Sequence, residues 1–155
     1  MSNGPERNLR ASGIELPPAP TPLGAYVEAV QVGNLLFLSG ALPLEDGVPK
    51  FLGRLGAEIS IEAGRSAARL AALNALALAR QHLGSLDKVQ RVARLFVSIA
   101  TTPEFREHPK VADGASELLA EVFGAELAST RNVSGATTLP NGVCVVVEMT
   151  LAMQP

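Results

Sequence analysis

Thr130-Arg131-Asn132-Val133-Ser134-Gly135-Ala136-Thr137-Thr138-Leu139-Pro140-Asn141-Gly142-Val143 is the stretch on which the reading of this chain turns. It places one arginine ahead of a long run with no other charge, and the next charged residue is Glu148. The Arg131 guanidinium stays protonated at any working pH and presents a planar fork that grips a carboxylate with two parallel hydrogen bonds, so it is a candidate anion clamp. Pro140-Asn141-Gly142 is turn chemistry, because Asn-Gly readily takes the positive φ values of a tight turn. The stretch therefore predicts a hairpin whose second strand runs from Val143 to Leu151 and carries Glu148.

Working outward, Ala25 to Val32 and Leu35 to Ser39 are apolar runs separated by Gly33-Asn34, which predicts a first hairpin. Gly40 to Gly56 is rich in Gly and Pro and reads as a loop with a short edge strand near Phe51. Ser60 caps a helix with Glu62 in its first turn and Arg80 and His82 in its last, ahead of Gly84. Leu70, Leu73, Ala77 and Arg80 mark a stripe on it, and the alanines between Ala63 and Ala79 imply close approach to whatever it covers. Val89 to Ile99 alternates as a strand, with Ala93, Leu95, Val97 and Ile99 on one face and Val92, Arg94, Phe96 and Ser98 on the other. Thr102-Pro103-Glu104 starts a second helix, interrupted at Pro109 and resumed through Val122 to Gly124. The order hairpin, helix, strand, helix, hairpin defines an α+β domain of two layers, two helices on one face of a sheet. Val143, Val145, Val147 and Met149 point to one side of the last strand, while Cys144, Val146 and Thr150 make the other side largely apolar too. A sheet apolar on both faces is usually buried on both, so self-association is expected.

The 155 residues fit one domain, residues 23–155, preceded by a polar, Pro-rich arm, residues 1–22, expected to be loosely ordered. Mean hydropathy is +0.23 and 47% of residues are hydrophobic, yet no apolar run approaches the length of a membrane span. The first residues hold no apolar signal-peptide core, and a cytoplasmic location is expected. With 13 basic against 15 acidic residues and a net charge of −2, there is no electrostatic footprint for nucleic acid. One cysteine, Cys144, excludes an intrachain disulfide, and with only His82 and His108 beside it no metal-ligand spacing exists.

Residue types alone leave the candidate site open. Arg131 is a solvated arginine, a partner of Glu126 or Glu148, or a ligand clamp. Tyr26, the single tyrosine, suits packing as well as a pocket wall, and Ser39-Gly40 is ordinary turn material. Glu148 suits the solvated end of a strand or a general base. Cys144 reads as a small core residue rather than a nucleophile.

The spacing of Arg131 to Leu139-Pro140, followed by a valine-rich strand with glutamate, resembles the C-terminal signature of the Rid (YjgF-type) family. Leu23-Gly24-Ala25-Tyr26-Val27-Glu28-Ala29-Val30 resembles that family's first strand, Leu36-Phe37-Leu38-Ser39-Gly40-Ala41-Leu42-Pro43 its second strand and Ser-Gly turn, and Asp113-Gly114-Ala115-Ser116-Glu117-Leu118-Leu119 a helix of one branch. The resemblance, from Leu23 to Met153, implies a chorismate-mutase-like fold with a mixed sheet, assembled as a homotrimer with pockets between subunits. It implies that Arg131 clamps the carboxylate of a small keto or imino acid, that Tyr26, Ser39 and Gly40 shape the pocket, and that Glu148 activates water. The implied activity is a 2-iminobutanoate/2-iminopropanoate deaminase, releasing 2-keto acid and ammonia without cofactor or metal. One departure is Val146, which stands where active members carry a second glutamate nearest the arginine. It favours the alternative of a non-catalytic small-carboxylate-binding protein. Endoribonuclease activity ranks last, because the acidic chain offers neither a basic patch nor a histidine pair.

Overall fold

The structure, a computed structural model, describes residues 4–155. Along the chain it forms α1 (Pro5–Ala11), β1 (Ala29–Val32), β2 (Leu35–Leu38), β3 (Leu44–Glu45), β4 (Val48–Pro49), α2 (Ile61–Leu83), β5 (Val89–Ala100), α3 (His108–Phe123), β6 (Thr130–Ala136) and β7 (Val145–Met153). Five strands make one mixed sheet in the order β1-β2-β7-β5-β6, and β3 pairs with β4 in a separate ribbon. Three helices complete this α+β fold, with α2 and α3 packed together over one face of the sheet and α1 against α3.

Local chemistry sets α2 as expected. The Ser60 hydroxyl accepts the Ala63 N–H at 3.1 Å, and Gly84 ends the helix at φ 85°, a left-handed conformation favourable only to glycine. The buried side of α2 is the alanine side, including Ala67, Ala71 and Ala75, whereas Leu70 and Leu73 are only half-buried. Small side chains let α3 come close: a Cβ on Gly114 would overlap the Arg65 carbonyl oxygen. Beneath the helices lie Leu95, Val97 and Ile99 of β5 with Val145, Val147, Met149 and Leu151 of β7, all fully buried or nearly so. Truncating such a residue, Leu95 to alanine for example, costs about 2–5 kcal/mol in lost transfer energy and residual cavity.

Several sequence expectations change. The stretch around Pro140 is not a hairpin: β6 pairs in parallel with β5, β7 pairs antiparallel with β5, and β5 lies between them. Asn141 and Gly142 do take positive φ, 58° and 74°, but the turn carries the chain over the end of β5 rather than back onto β6. Pro109 does not interrupt a helix; it occupies the first turn of α3, where a missing N–H costs nothing. Val92 is buried with Leu95 and Val97, not on the opposite side, because a register shift between Val92 and Arg94 reverses the alternation. Residues 5–11 are a helix rather than a loose arm. Leu9 is 1% exposed, the Asn8 side chain donates to the Val122 carbonyl at 2.8 Å, and Arg80 holds the Glu6 carboxylate through two nitrogens at 3.1 and 2.9 Å. The first three residues lie outside the described part.

Among the described residues no helix lies over the second sheet face. Register places Val30, Phe37, Thr150, Arg94 and Thr130 in one row across it, and Phe96 beside Glu148 and Asn132 in the next. Val30 and Phe37 are 47% and 44% exposed.

Candidate functional site

Tyr26, Ser39 and Gly40 come together at the β1–β2 side of the sheet. The Tyr26 ring folds back over its own turn: its N–H donates to the Gly24 carbonyl at 3.0 Å and its phenolic oxygen accepts the Leu23 N–H at 3.1 Å. Phe37 of β2 faces Thr150, yet Ala41 faces Val147, so residues 38–40 hold one residue more than the strand opposite and bulge outward. The Ser39 hydroxyl is fixed by donating to the Val27 carbonyl at 2.7 Å, and the Ser39 N–H donates to the Glu28 carbonyl at 2.9 Å. These residues line a shallow, open pocket whose apolar wall includes Leu23, Leu42 and Leu78.

Val146 packs on the bulge; its Cγ1 would lie 3.0 Å from a Cβ added to Gly40. A longer residue at either position meets the other, so the bare Gly40 backbone is what leaves room there. Glu148, the next residue on the same face of β7, is exposed and lies opposite Phe96.

Arg131 is elsewhere. It pairs in register with Leu95, which is buried under the helices, so its side chain leaves the sheet on the helix side. Its Nη1 donates to Asp113 Oδ1 at 2.6 Å and to Ser116 Oγ at 3.1 Å, both on α3. Asp113 and Ser116 are three residues apart and so share one helix face, which is why both reach the same nitrogen. The residue in the row of Glu148 is Asn132, so within one chain Arg131 and Glu148 stand on opposite faces of the sheet. Strand spacing adds a further separation: three intervals from β2 to β6, about 14 Å, lie between the Tyr26 pocket and Arg131.

Glu28, which nothing in residue type singles out, lines the same pocket. Glu28 stands opposite Ser39 and is half-buried, and burial pushes its carboxyl above the ordinary carboxylate value. Its place two residues after Tyr26, in a run whose sequence reads as a strand from Ala25 to Val32 although β1 begins only at Ala29, was the available signal, since residues two apart on a strand share a side. Cys144 is buried and its thiol is pushed up to about 11 by desolvation, which leaves it protonated and inert at neutral pH. Among the described residues no group of three or more His, Cys, Asp or Glu could hold a metal ion, and no helix is long and apolar enough to cross a membrane.

A mixed sheet of this order with helices on one face is an architecture already known. Residues 6–151 match the family described as "YjgF/chorismate_mutase-like, putative endoribonuclease". The chain is 40% identical over 142 residues to Protein TCP17 of Trypanosoma cruzi, covering 91% of this chain and 89% of that protein. Its fold superimposes with a TM-score of 0.93 on a structure titled "putative endoribonuclease" from Shewanella oneidensis MR-1, at 35% identity over 97% of this chain and all of that one. A protein of unknown function from Agrobacterium tumefaciens superimposes with a TM-score of 0.88, at 34% identity over 97% and 92% of the two chains. Escherichia coli TdcF, solved with bound serine, shares the fold at a TM-score of 0.62 and 21% identity, over 88% of this chain and 94% of that one. The chain belongs to the YjgF, or Rid, family.

Proposed function

We propose that the protein is a cytoplasmic homotrimer whose intersubunit pockets bind small 2-keto or 2-imino acids and hydrolyse the imino acids to keto acids and ammonia. The observation that carries this reading is the division of the candidate site between two edges of one sheet: Tyr26, Ser39 and Gly40 at the β1–β2 side, Arg131 on the edge strand β6. A closed ring of subunits is the simplest arrangement that sets one edge against the other, because a heterologous interface repeats the same pairing at each contact. Arg131 then fixes the substrate carboxylate of a ligand lying against the neighbouring subunit's Tyr26 and Ser39-Gly40. Exclusion of water there strengthens the contact by lowering the effective dielectric. The exposed apolar row of Val30 and Phe37 supplies area for assembly. A bound amino acid in the TdcF structure accords with a ligand of this size and charge.

The test is direct. An amino-acid oxidase generates 2-iminobutanoate or 2-iminopropanoate, semicarbazide captures what is not hydrolysed, and the captured fraction is measured with and without the protein. Faster loss of the imine supports hydrolysis, and a rate no higher than in buffer overturns it.

A second reading, a binding protein without catalysis, is favoured by two observations: Val146 fills the space beside Gly40, and Asp113 already occupies one nitrogen of Arg131. Calorimetric binding of pyruvate with no hydrolysis of the imine selects it.

A further inference from the structure

A carboxylate that loses water without gaining a partner costs stability, and a solvated position would avoid the cost. Glu28 is such a group. No hydrogen bond or ion pair reaches its carboxylate among the described residues, and desolvation is what raises its proton affinity. Among the described residues it is also the only acid lining the pocket beside Tyr26, where Leu23, Leu42, Leu44 and Leu78 supply apolar walls. Ser39, directly opposite, cannot donate to it through the hydroxyl, because that proton is given to the Val27 carbonyl. A half-buried, unpartnered acid aimed at a pocket of bulged backbone fits proton transfer better than structure.

Resting on the deaminase reading above, we infer that Glu28 is the general base and acid of this site, the carboxylate that Val146 does not supply. Glu28 takes a proton from water as the water oxygen bonds to C2 of the iminium, and the C=N π pair moves onto nitrogen. The product is an uncharged carbinolamine beside a protonated Glu28. Glu28 then returns the proton to that nitrogen. The C–N bond breaks as the hydroxyl proton passes to Glu28 and the C=O bond forms, and the departing ammonia leaves with that proton as ammonium. The sum is iminium plus water to keto acid plus ammonium, with Glu28 ionised at start and finish, and no oxidant or cofactor enters.

Among the described residues the only other titratable group lining the pocket is the Tyr26 phenol; α2 contributes Leu78, and the segment around 42–44 contributes only apolar side chains. Glu148, the one acid of β7, stands across the bulge, since residues 148 and 149 lie opposite residues 38–40. The base form of Glu28 is the active one, so the rate falls as pH drops through its raised pKa, and this acid limb belongs to Glu28.

The experiment is the imine-capture assay with wild type, Glu28→Gln, Glu28→Asp and, as a control, the exposed Glu62→Gln, each checked for unchanged circular dichroism and sedimentation. Glu28→Gln is expected to lower kcat by about 10² to 10³, with KM changed less than about threefold, and to lose the acid limb. Glu28→Asp retains the limb at a reduced rate, and Glu62→Gln matches wild type. Glu28→Gln with at least half the wild-type kcat and an unchanged acid limb overturns the assignment while leaving the deaminase reading intact. A wild-type rate equal to that in buffer overturns both.

Discussion

Asp113 Oδ1 lies 2.6 Å from Arg131 Nη1, so the candidate substrate clamp already holds a carboxylate of its own chain. The pair is partly exposed, with side chains 27% and 45% accessible for Arg131 and Asp113 respectively, and pairs of this kind contribute about 0–1 kcal/mol. A small acid binding at Arg131 must compete with Asp113 or use the remaining guanidinium nitrogens. Asp113→Asn is therefore expected to tighten pyruvate binding by up to about fivefold, the upper end of what such a pair is worth. Arg131→Ala is expected to abolish binding, a loss of about 2–4 kcal/mol for a desolvated charge-assisted fork, and Arg131→Lys to restore only part of it. Isothermal calorimetry reads all three, and unchanged affinity in Arg131→Ala removes Arg131 from the site.

Assembly is the second expectation. Val30, Val32 and Phe37 are exposed on a sheet face that no helix covers, and a carboxylate placed among them costs nothing in a monomer but several kcal/mol when buried against another copy. Phe37→Glu is expected to shift sedimentation from trimer toward the 16.1 kDa chain mass while far-UV circular dichroism is retained. Val147→Asp, on the helix side, should instead prevent folding, since Val147 is fully buried. A Phe37→Glu protein that remains trimeric shows that this face is not the interface.

The N-terminal helix supplies a pH dependence. Burial alone would raise the Glu6 carboxyl, but the Leu86 N–H at 2.9 Å and the Arg80 guanidinium outweigh it and hold it below the ordinary value of 4.5. A lowered folded pKa means that this stabilisation is present above about pH 4.5 and is lost as pH falls through the folded value. Protection of the Leu9 amide, relative to the intrinsic exchange rate at each pH, should fall below about pH 4.5 in wild type, and in Glu6→Gln should already be low at neutral pH. Slow exchange at Leu9 in Glu6→Gln at neutral pH would show that burial of Leu9 alone secures the helix.

What the sequence disclosed follows the range of the interactions involved. The Ser60 cap, the Gly84 stop and most of the β5 alternation are local, and they can be read directly. The pairing of β6 and β7 is not local: Asn141-Gly142 has the backbone of a hairpin turn, but the strand that occupies the gap between its arms lies some forty residues earlier. The bulge between Val92 and Arg94 reverses a face without leaving a mark on residue type. Residues 5–11 look polar because only Leu9 is buried, which is too short a pattern to show a period. In the site, Tyr26, Ser39 and Gly40 were legible as a group, whereas Arg131 on the opposite sheet face from Glu148 required the register.

The last expectation concerns Val146, whose packing on Gly40 closes the space that a carboxylate at this position would use. Val146→Glu places an acid against Gly40 of the bulge, on the same sheet face as Glu148, and Ser39 of that bulge stands opposite Glu28. A well-placed general acid or base is worth about 10² to 10⁴ in rate. If Glu28 already supplies that function, a second carboxylate adds little to wild type and the two acids raise each other's pKa by mutual repulsion. Val146→Glu alone should then change the imine hydrolysis rate by less than about tenfold, while in the Glu28→Gln background it should recover about 10² or more. The four rates, from wild type, each single variant and the double variant, form a cycle whose non-additivity measures whether the two positions serve one proton-transfer step. Equal gains from Val146→Glu in both backgrounds would show that Glu28 does not do the work of the missing acid.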